Sequence, residues 1–307
     1  DAVRTPFGDH GGAFRDTHAQ DLAAAPLRAL ESRNSGVPAA VDDVYWGCVT
    51  ATGEQGINIG RVAPMVAGWG EAVPGVQLNR MCGSSQQAVN WAAGQIRAGF
   101  ADVVVAGGSE HLTRVPMGSD STAESGIIAR DALTDTYFDH YEAATSQGEG
   151  AERMAEQWGV SRERADRIAA DSHRRWGKAW DAGYYDRGVT PVETTLDGEA
   201  VTVERDEHPR PDSTVDSLGE VPLAFRPEGE GVHHAGNSSG VVDGASALLV
   251  SSESTAARRG WDPLARIVDT AVVGVDPVTM LTGPVPATEQ VLASAGYEVS
   301  DVDLFEV

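Results

Sequence analysis

Among the 307 residues only two are cysteine, Cys48 and Cys82, and their surroundings differ. Cys82 lies in NRMCGSSQQAVNWAAGQ, residues 79 to 95, between Met81 and Gly83 and just before a helical pattern. A sulfur placed where a buried strand meets a helix sits near unpaired backbone amides and the positive end of the helix dipole. Such surroundings lower a thiol pKa and supply thiolate near neutrality, the form that attacks a carbonyl carbon. Gly83 allows a tight turn, and Ser84 and Ser85 suit a helix start without bulk. At this level two readings of Cys82 stand side by side: a catalytic nucleophile, or a small inert hydrophobe of the kind free cysteine usually is. Cys48, inside the apolar YWGCV, reads as core. Two cysteines in such a chain make neither a disulfide framework nor a four-ligand zinc site, so both are expected to be reduced thiols. The eight histidines have no metal-ligand spacing. No G-x-G-x-x-G opens a helix after a strand, which argues against a dinucleotide cofactor.

The elements that must position Cys82 alternate between strand and helix. VYWGCV at 44 to 49, GVQLNRMC at 75 to 82 and DVVVAGGSE at 102 to 110 read as strands, the last an apolar run suited to burial on both faces. Helices are expected from Gln20 to Glu31 and from Ser84 to Ala98, the second with Val89, Ala92, Ala93 and Ile96 on one face. This alternation predicts a layered α/β fold with mostly parallel sheets covered by helices. From about 113 to 229 the texture changes to scattered polar residues, a charged helical stretch and the turn-rich DEHPRPDSTVDSLGEVP, which reads as an insertion packed over the sheet. Strand texture returns in DGASALLVSS at 243 to 252 and in ARIVDTAVVGV at 265 to 275, and a helix is expected at ATEQVLASAG. The length accommodates two domains, and 41% hydrophobic residues fill a sizeable core.

Asp and Glu total 46 against 23 Lys and Arg, a formal net charge of -23. That excess argues against nucleic acid and anionic membranes as partners. Lys178 is the only lysine. An acidic surface nearly free of lysine suits molar salt, where self-repulsion is screened within ~3 Å at about 1 M. A halophilic source is therefore expected, and the thermal unfolding midpoint should rise between dilute buffer and 2 M salt; a fall would remove the expectation. No run approaches the ~18 apolar residues of a membrane span, and DAVRTPFGDHGG has no signal-peptide character, so the expected location is cytoplasmic.

NRMCGSSQQAV resembles the nucleophile segment of the thiolases. DAVRTPFG, WGCVTATGEQGINIGR, VVVAGGSEHLTRVPM, AGNSSGVVDGASALLV and VVGVDPVTMLTGPVPAT are similar to other thiolase signatures, in the expected order along almost the whole chain. WGCV, EQG, NI and RPDSTVDSL are more similar to the degradative 3-ketoacyl-CoA thiolases than to the biosynthetic acetoacetyl-CoA type. The resemblance implies a pseudo-duplicated thiolase fold: a sheet domain at 1–112 plus 230–253, a covering insertion for CoA at 113–229, and the start of a second sheet domain at 262–307. It implies that Cys82 is the acyl-thioester nucleophile and that its backbone N–H donates to the oxyanion. For coenzyme A, a substrate and not a permanently bound cofactor, it implies Arg210 near the nucleotide phosphates, Ser217 on the same nucleotide and Ser239 on the pantetheine arm. A guanidinium fork suits phosphate; the ordinary alternatives are a solvated loop cation at Arg210 and serines bonded to their own backbone at 217 and 239. A homodimer or homotetramer is implied, with VQLNRMC near the subunit contact.

Two departures qualify the resemblance. Ser146, Gln147 and Gly148 stand where biosynthetic thiolases carry His-Met-Gly, which implies a different substrate preference. The family's Asn-Glu-Ala-Phe-Ala segment, catalytic histidine and second cysteine would come after DLFEV and are not among the 307 residues, so the second half is expected to be incomplete. None of the histidines occupies the missing motif, and His233 and His234, next to AGNSSG, are expected to be solvated or structural. The alternatives to thiolytic cleavage are biosynthetic condensation of two acetyl-CoA, a carrier-protein-dependent condensing enzyme, and a non-catalytic acyl-CoA-binding subunit.

Overall fold

The computed structural model describes residues 1–121 and 133–306; residues 122–132 of the expected insertion, and Val307, lie outside the described residues. In chain order the first elements are β1 (Ala2–Arg4), β2 (Gly8–Asp9), α1 (Ala19–Arg33), β3 (Asp43–Gly47), α2 (Ile59–Ala67), β4 (Val76–Leu78), α3 (Ser84–Ala98) and β5 (Val103–His111). Then come α4 (Asp135–His140), α5 (Gln147–Trp158), α6 (Arg162–Asp181), β6 (Val192–Leu196), β7 (Glu199–Val203) and α7 (Val215–Gly219). β8 (Val242–Ser251), α8 (Glu253–Arg259) and α9 (Pro284–Ala295) complete the order.

Two compact units are present. The first comprises Asp1–Asp120, Lys178–Pro209 and Gly240–Ala265. Its main sheet runs β1-β8-β5-β3-β4, with β2 also on β8. The expected layered α/β architecture is present, but the pairing is mixed: β3 is parallel to β4 and β5, while β8 is antiparallel to β5, β1 and β2. The parallel pairs follow from helical crossovers, and β8, arriving from far along the chain, is under no such constraint. Alternate residues of β5 serve opposite layers. Val103 and Val105 join Leu27, Leu30, Trp46, Ile59 and Ala63 under α1 and α2, whereas Val104 and Ala106 join Tyr45, Leu78, Ala88 and Ala92 under α3. β6 and β7 form a hairpin whose Val192 and Val203 pack with Phe14, Leu22 and Ala245.

The second unit comprises Ser121–Gly177, Arg210–Ser239 and Arg266–Val307. The charged stretch resolves into α5 and α6, because Gly159 closes α5 in a left-handed conformation (φ 61°) that glycine adopts without strain. The segment expected as a strand at 265–275 is not one. Its residue pattern suits a strand, but the segment does not join either sheet of the described residues, and a strand is defined by a ladder and not by residue type. Helix α9 forms where ATEQVLASAG predicts it, beginning at Pro284. No helix among the described residues is long and apolar enough to cross a membrane.

One ionic contact of the first unit makes a stability prediction. Hydrogen bonding from Arg114, with further help from the Ala19 amide and His18 and against the opposing effect of burial, pushes the Glu54 carboxyl down to about 2 from an ordinary 4.5. The folded value is the lower one, so the contribution is complete above pH 4.5 and is lost as pH falls toward 2. Glu54 is 24% exposed, so solvent screening reduces the contribution to about 1 to 2 kcal/mol. Unfolding by urea at pH 6 and pH 3 should show a smaller acid loss in Glu54→Gln than in the parent.

Candidate active site

The Cys82 turn is built by a short strand, a strained residue and a helix start. β4 ends at Leu78, Asn79 to Met81 turn the chain, and α3 begins at Ser84. Met81 has φ 49°, a left-handed conformation uncommon outside glycine. Two side chains brace the turn with three hydrogen bonds. The Asn79 Oδ1 accepts from the Met81 N–H at 2.8 Å, the Ser84 Oγ accepts from the Arg80 N–H at 2.8 Å, and the same hydroxyl donates to the Met81 carbonyl. Ser84 is 3% exposed and belongs to the framework, whereas Cys82 is exposed and free. Gly83 occupies the cap position of α3 without a side-chain cap. The expected capping by Ser84 is therefore replaced by a backward bond that closes the Cys82 turn.

Two facing glycines seat this helix start on the sheet. Gly47 of β3 and Gly108 of β5 are register partners. A Cβ on Gly47 would lie 2.5 Å from the Ser85 nitrogen and 2.7 Å from the Ser84 carbonyl carbon. One on Gly108 would meet the Ser85 hydroxyl and lie 2.5 Å from the Gly47 oxygen. These are close approaches that only glycine permits, and they fix the height of Cys82 above the strands. Neither glycine is distinguished in sequence from its neighbours: Gly47 ends β3, and Gly108 lies inside β5.

A carboxylate orders the facing loop. Glu110 accepts from the Val49 N–H at 2.9 Å, the Thr50 N–H at 3.1 Å and the Gln55 Nε2 at 2.9 Å. Asn79 connects that loop to the Cys82 turn, since its Nδ2 donates to the Val49 carbonyl at 3.1 Å. Cys48 is 1% exposed, and burial together with the adjacent Glu110 carboxylate pushes its thiol well above the ordinary range. It is core, as its apolar strand indicates. His111 is also buried, with Nε2 on the Phe14 carbonyl at 3.0 Å and Nδ1 3.3 Å from Asp243. Burial raises the Asp243 pKa, but hydrogen bonds from His111 and Thr113 outweigh it and hold the carboxyl below its ordinary value. This pair ties β5 to β8.

Arg210, Ser217 and Ser239 belong to the second unit, while Cys82 belongs to the first. Arg210 is exposed and its N–H donates to His173 Nδ1 at 3.2 Å. Ser217 is exposed as well, and its hydroxyl serves the start of α7: it accepts from the Thr214 N–H and donates to the Thr214 carbonyl, both at 3.0 Å. Ser239 is exposed at the end of a loop anchored from below. His234 is fully buried, bonds Asp166 through Nε2 at 2.7 Å, and accepts from the Gly236 N–H at 3.1 Å. Asn237 reaches the same aspartate at 2.9 Å. Leu218 of α7 lies against Gly236, so the segments bearing Ser217 and Ser239 are neighbours in this unit. His233 packs on buried Glu152, which accepts from the Val232 and His233 N–H groups. No group of three metal-ligating side chains occurs among the described residues.

Comparison with known proteins gives the family. The family model "Thiolase, N-terminal domain" matches residues 1–254, and "Thiolase, C-terminal domain" matches residues 261–307. A 3-ketoacyl-CoA thiolase of Cronobacter sakazakii is 44% identical over 310 aligned residues, covering 100% of this chain and 78% of the relative. That of Serratia proteamaculans matches to the same extent. In three dimensions the chain is similar to the crystal structure of the Bacillus anthracis acetyl-CoA acetyltransferase, with a TM-score of 0.85 at 35% identity over 99% of this chain and 77% of the other. Two family models that together span nearly every residue, and relatives at this identity, show that the chain belongs to the thiolase family and is an acyltransferase.

Proposed function

We propose that this enzyme cleaves 3-ketoacyl-CoA thiolytically, with Cys82 as the group that carries the acyl chain. One observation carries the assignment: of the two cysteines, only Cys82 is exposed, and it stands at the start of α3 on a turn held by a left-handed residue. The Cys82 thiolate attacks the keto carbon, forming a C–S bond and an oxyanion. Collapse of the oxyanion breaks the bond between the keto carbon and the adjacent methylene; that electron pair takes up a proton and leaves as acetyl-CoA. The shortened acyl group stays on Cys82 as a thioester, and the thiolate of a second CoA removes it and returns the cysteine. Oxyanion donors of this type each contribute about 10²- to 10³-fold, and the Cys82 N–H is the one assigned here.

Coenzyme A is read as bound through Arg210, Ser217 and Ser239, within the 113–229 insertion and the segment that follows it. The guanidinium offers paired donors to phosphate on a chain otherwise strongly acidic. In the Ser217 site the available contact is the second lone pair of a hydroxyl already engaged in capping. We read the enzyme as cytoplasmic and as a homodimer or homotetramer. β4 ends the sheet, and beside it a hollow of about 440 Å³ is lined by Tyr45, Val76, Asn90 and Trp91. An open strand edge with apolar neighbours suits a two-fold contact with a second copy, which sedimentation equilibrium measures directly.

The test of the reaction is to mix the enzyme with a 3-ketoacyl-CoA, quench in acid and digest. The peptide containing Cys82 should carry the shortened acyl group, and CoA added before quenching should remove it. An acyl group on another residue, or none despite turnover, would overturn the assignment. The same experiment with acetyl-CoA alone distinguishes cleavage from a preference for condensation by the rate at which the cysteine is acylated.

A further inference from the structure

Asn79 does two things at once. Its Oδ1 accepts from the Met81 N–H at 2.8 Å, and its Nδ2 donates to the Val49 carbonyl at 3.1 Å. The first bond is local and favours the turn; the second ties that turn to a loop that Glu110 holds rigid from the other side. Between them sits Met81, whose left-handed backbone (φ 49°) persists only where surrounding groups over-determine it. Met81 is 50% exposed, so packing of its side chain does not supply the restraint. The restraint has to come from hydrogen bonds to its N–H and its carbonyl, which are those from Asn79 and Ser84. Both bonds act on the residue immediately before Cys82, and Met81 sets the direction in which the Cys82 N–H and sulfur leave the turn.

We infer that Asn79 is a positioning residue for acyl transfer: it clamps Met81 in the left-handed conformation and so aims Cys82, without itself touching substrate. This inference rests on the reading of Cys82 as the acyl-carrying nucleophile. The amide is specific to the task, because the Oδ1 and Nδ2 face a donor and an acceptor. A carboxylate would keep the acceptor but oppose the Val49 carbonyl, and alanine would lose both contacts. A left-handed backbone disfavoured for methionine is accessible to glycine, so a glycine at position 81 removes the need for the clamp.

The experiment measures single-turnover acylation of Cys82 by mass spectrometry, with steady-state kcat and KM, in Asn79→Ala, Asn79→Asp and the double variant Asn79→Ala/Met81→Gly. Circular dichroism and a thermal melt accompany each. A misaimed nucleophile costs roughly 10- to 100-fold, so Asn79→Ala should lose that much in acylation and kcat while KM stays within about threefold. Asn79→Asp should fall between Asn79→Ala and the parent, and the double variant should recover at least about tenfold over Asn79→Ala, which a general packing defect would not allow. Acylation by Asn79→Ala within about twofold of the parent, or no recovery in the double variant, overturns the inference and leaves the role of Cys82 standing. Full activity in Cys82→Ala overturns the nucleophile reading and this inference with it. If Asn79→Ala does not fold, Asn79→Asp decides against the parent alone: lower acylation and kcat with KM within about threefold supports the inference, and acylation within about twofold overturns it.

Discussion

Cys82→Ala is expected to lower the rate of thiolysis by at least about 10³-fold while leaving the protein as stable as its parent. The first half follows from covalent catalysis, since alanine has no atom to hold the acyl group and whatever turnover persists must come from binding and oxyanion stabilisation alone. The second half follows from exposure. Cys82 is exposed and forms no disulfide, the backbone bonds that hold its turn come from Asn79 and Ser84, and exposed substitutions usually fall within about ±0.5 kcal/mol. Initial rates of CoA-dependent 3-ketoacyl-CoA cleavage, with a thermal melt on the same preparation, check both halves. Cys48→Ala is the contrast: a buried thiol removed from the packing of Leu27, Val44, Trp46 and Ile59 should lower stability and leave the chemistry intact. A Cys82→Ala variant with activity within tenfold of the parent would remove Cys82 from the mechanism.

Gly47→Ala is expected to damage both quantities. The new methyl would lie 2.5 Å from the Ser85 nitrogen and 2.7 Å from the Ser84 carbonyl carbon, and these are backbone atoms that no side-chain rotation can move aside. The first turn of α3 must lift from the sheet. Overpacking of this kind costs typically 1 to 3 kcal/mol. Lifting that turn also displaces Cys82, three residues before Ser85, and a displacement near 1 Å can cost about 10²-fold in rate. Urea unfolding and kcat on Gly47→Ala check the two effects. Gly36→Ala, whose Cβ would meet nothing within 4 Å but whose φ is +79°, separates the contributions, because strain there should lower stability without touching the rate. A Gly47→Ala enzyme with parental kcat would mean that the height of α3 above the strands is not what places the nucleophile.

Much of the site was legible before any coordinates. The apolar run that became β5, the helical pattern that became α3 and the contrast between the two cysteines all arise from local rules of periodicity and turn chemistry, which act within a few residues. What was not legible depends on contacts between distant parts of the chain. Ser84 suited a helix cap, yet its hydroxyl turns back to Arg80 and Met81. Asn79 was one polar residue among several until Val49 was brought to it by the pairing of β3 with β4. The segment at 265–275 has the residue pattern of a strand and belongs to neither sheet of the described residues, because the pattern is set by residue type and a ladder by the register of a second segment.

The sequence by itself determined the family, the alternation of elements, the acidic character and the differing surroundings of the two cysteines, because each is carried by residue type and short-range order. Only the tertiary structure decided that β8 runs antiparallel to β5, that Gly47 and Gly108 form the seat of α3, and that Asn79 and Ser84 brace the turn before Cys82 while Glu110 orders the loop that Asn79 joins to it. The physical reason is range. Backbone propensity and hydrophobic period act between near neighbours, whereas the aim of a reactive side chain is set by hydrogen bonds and close approaches between segments tens of residues apart, which exist only once the sheet has assembled.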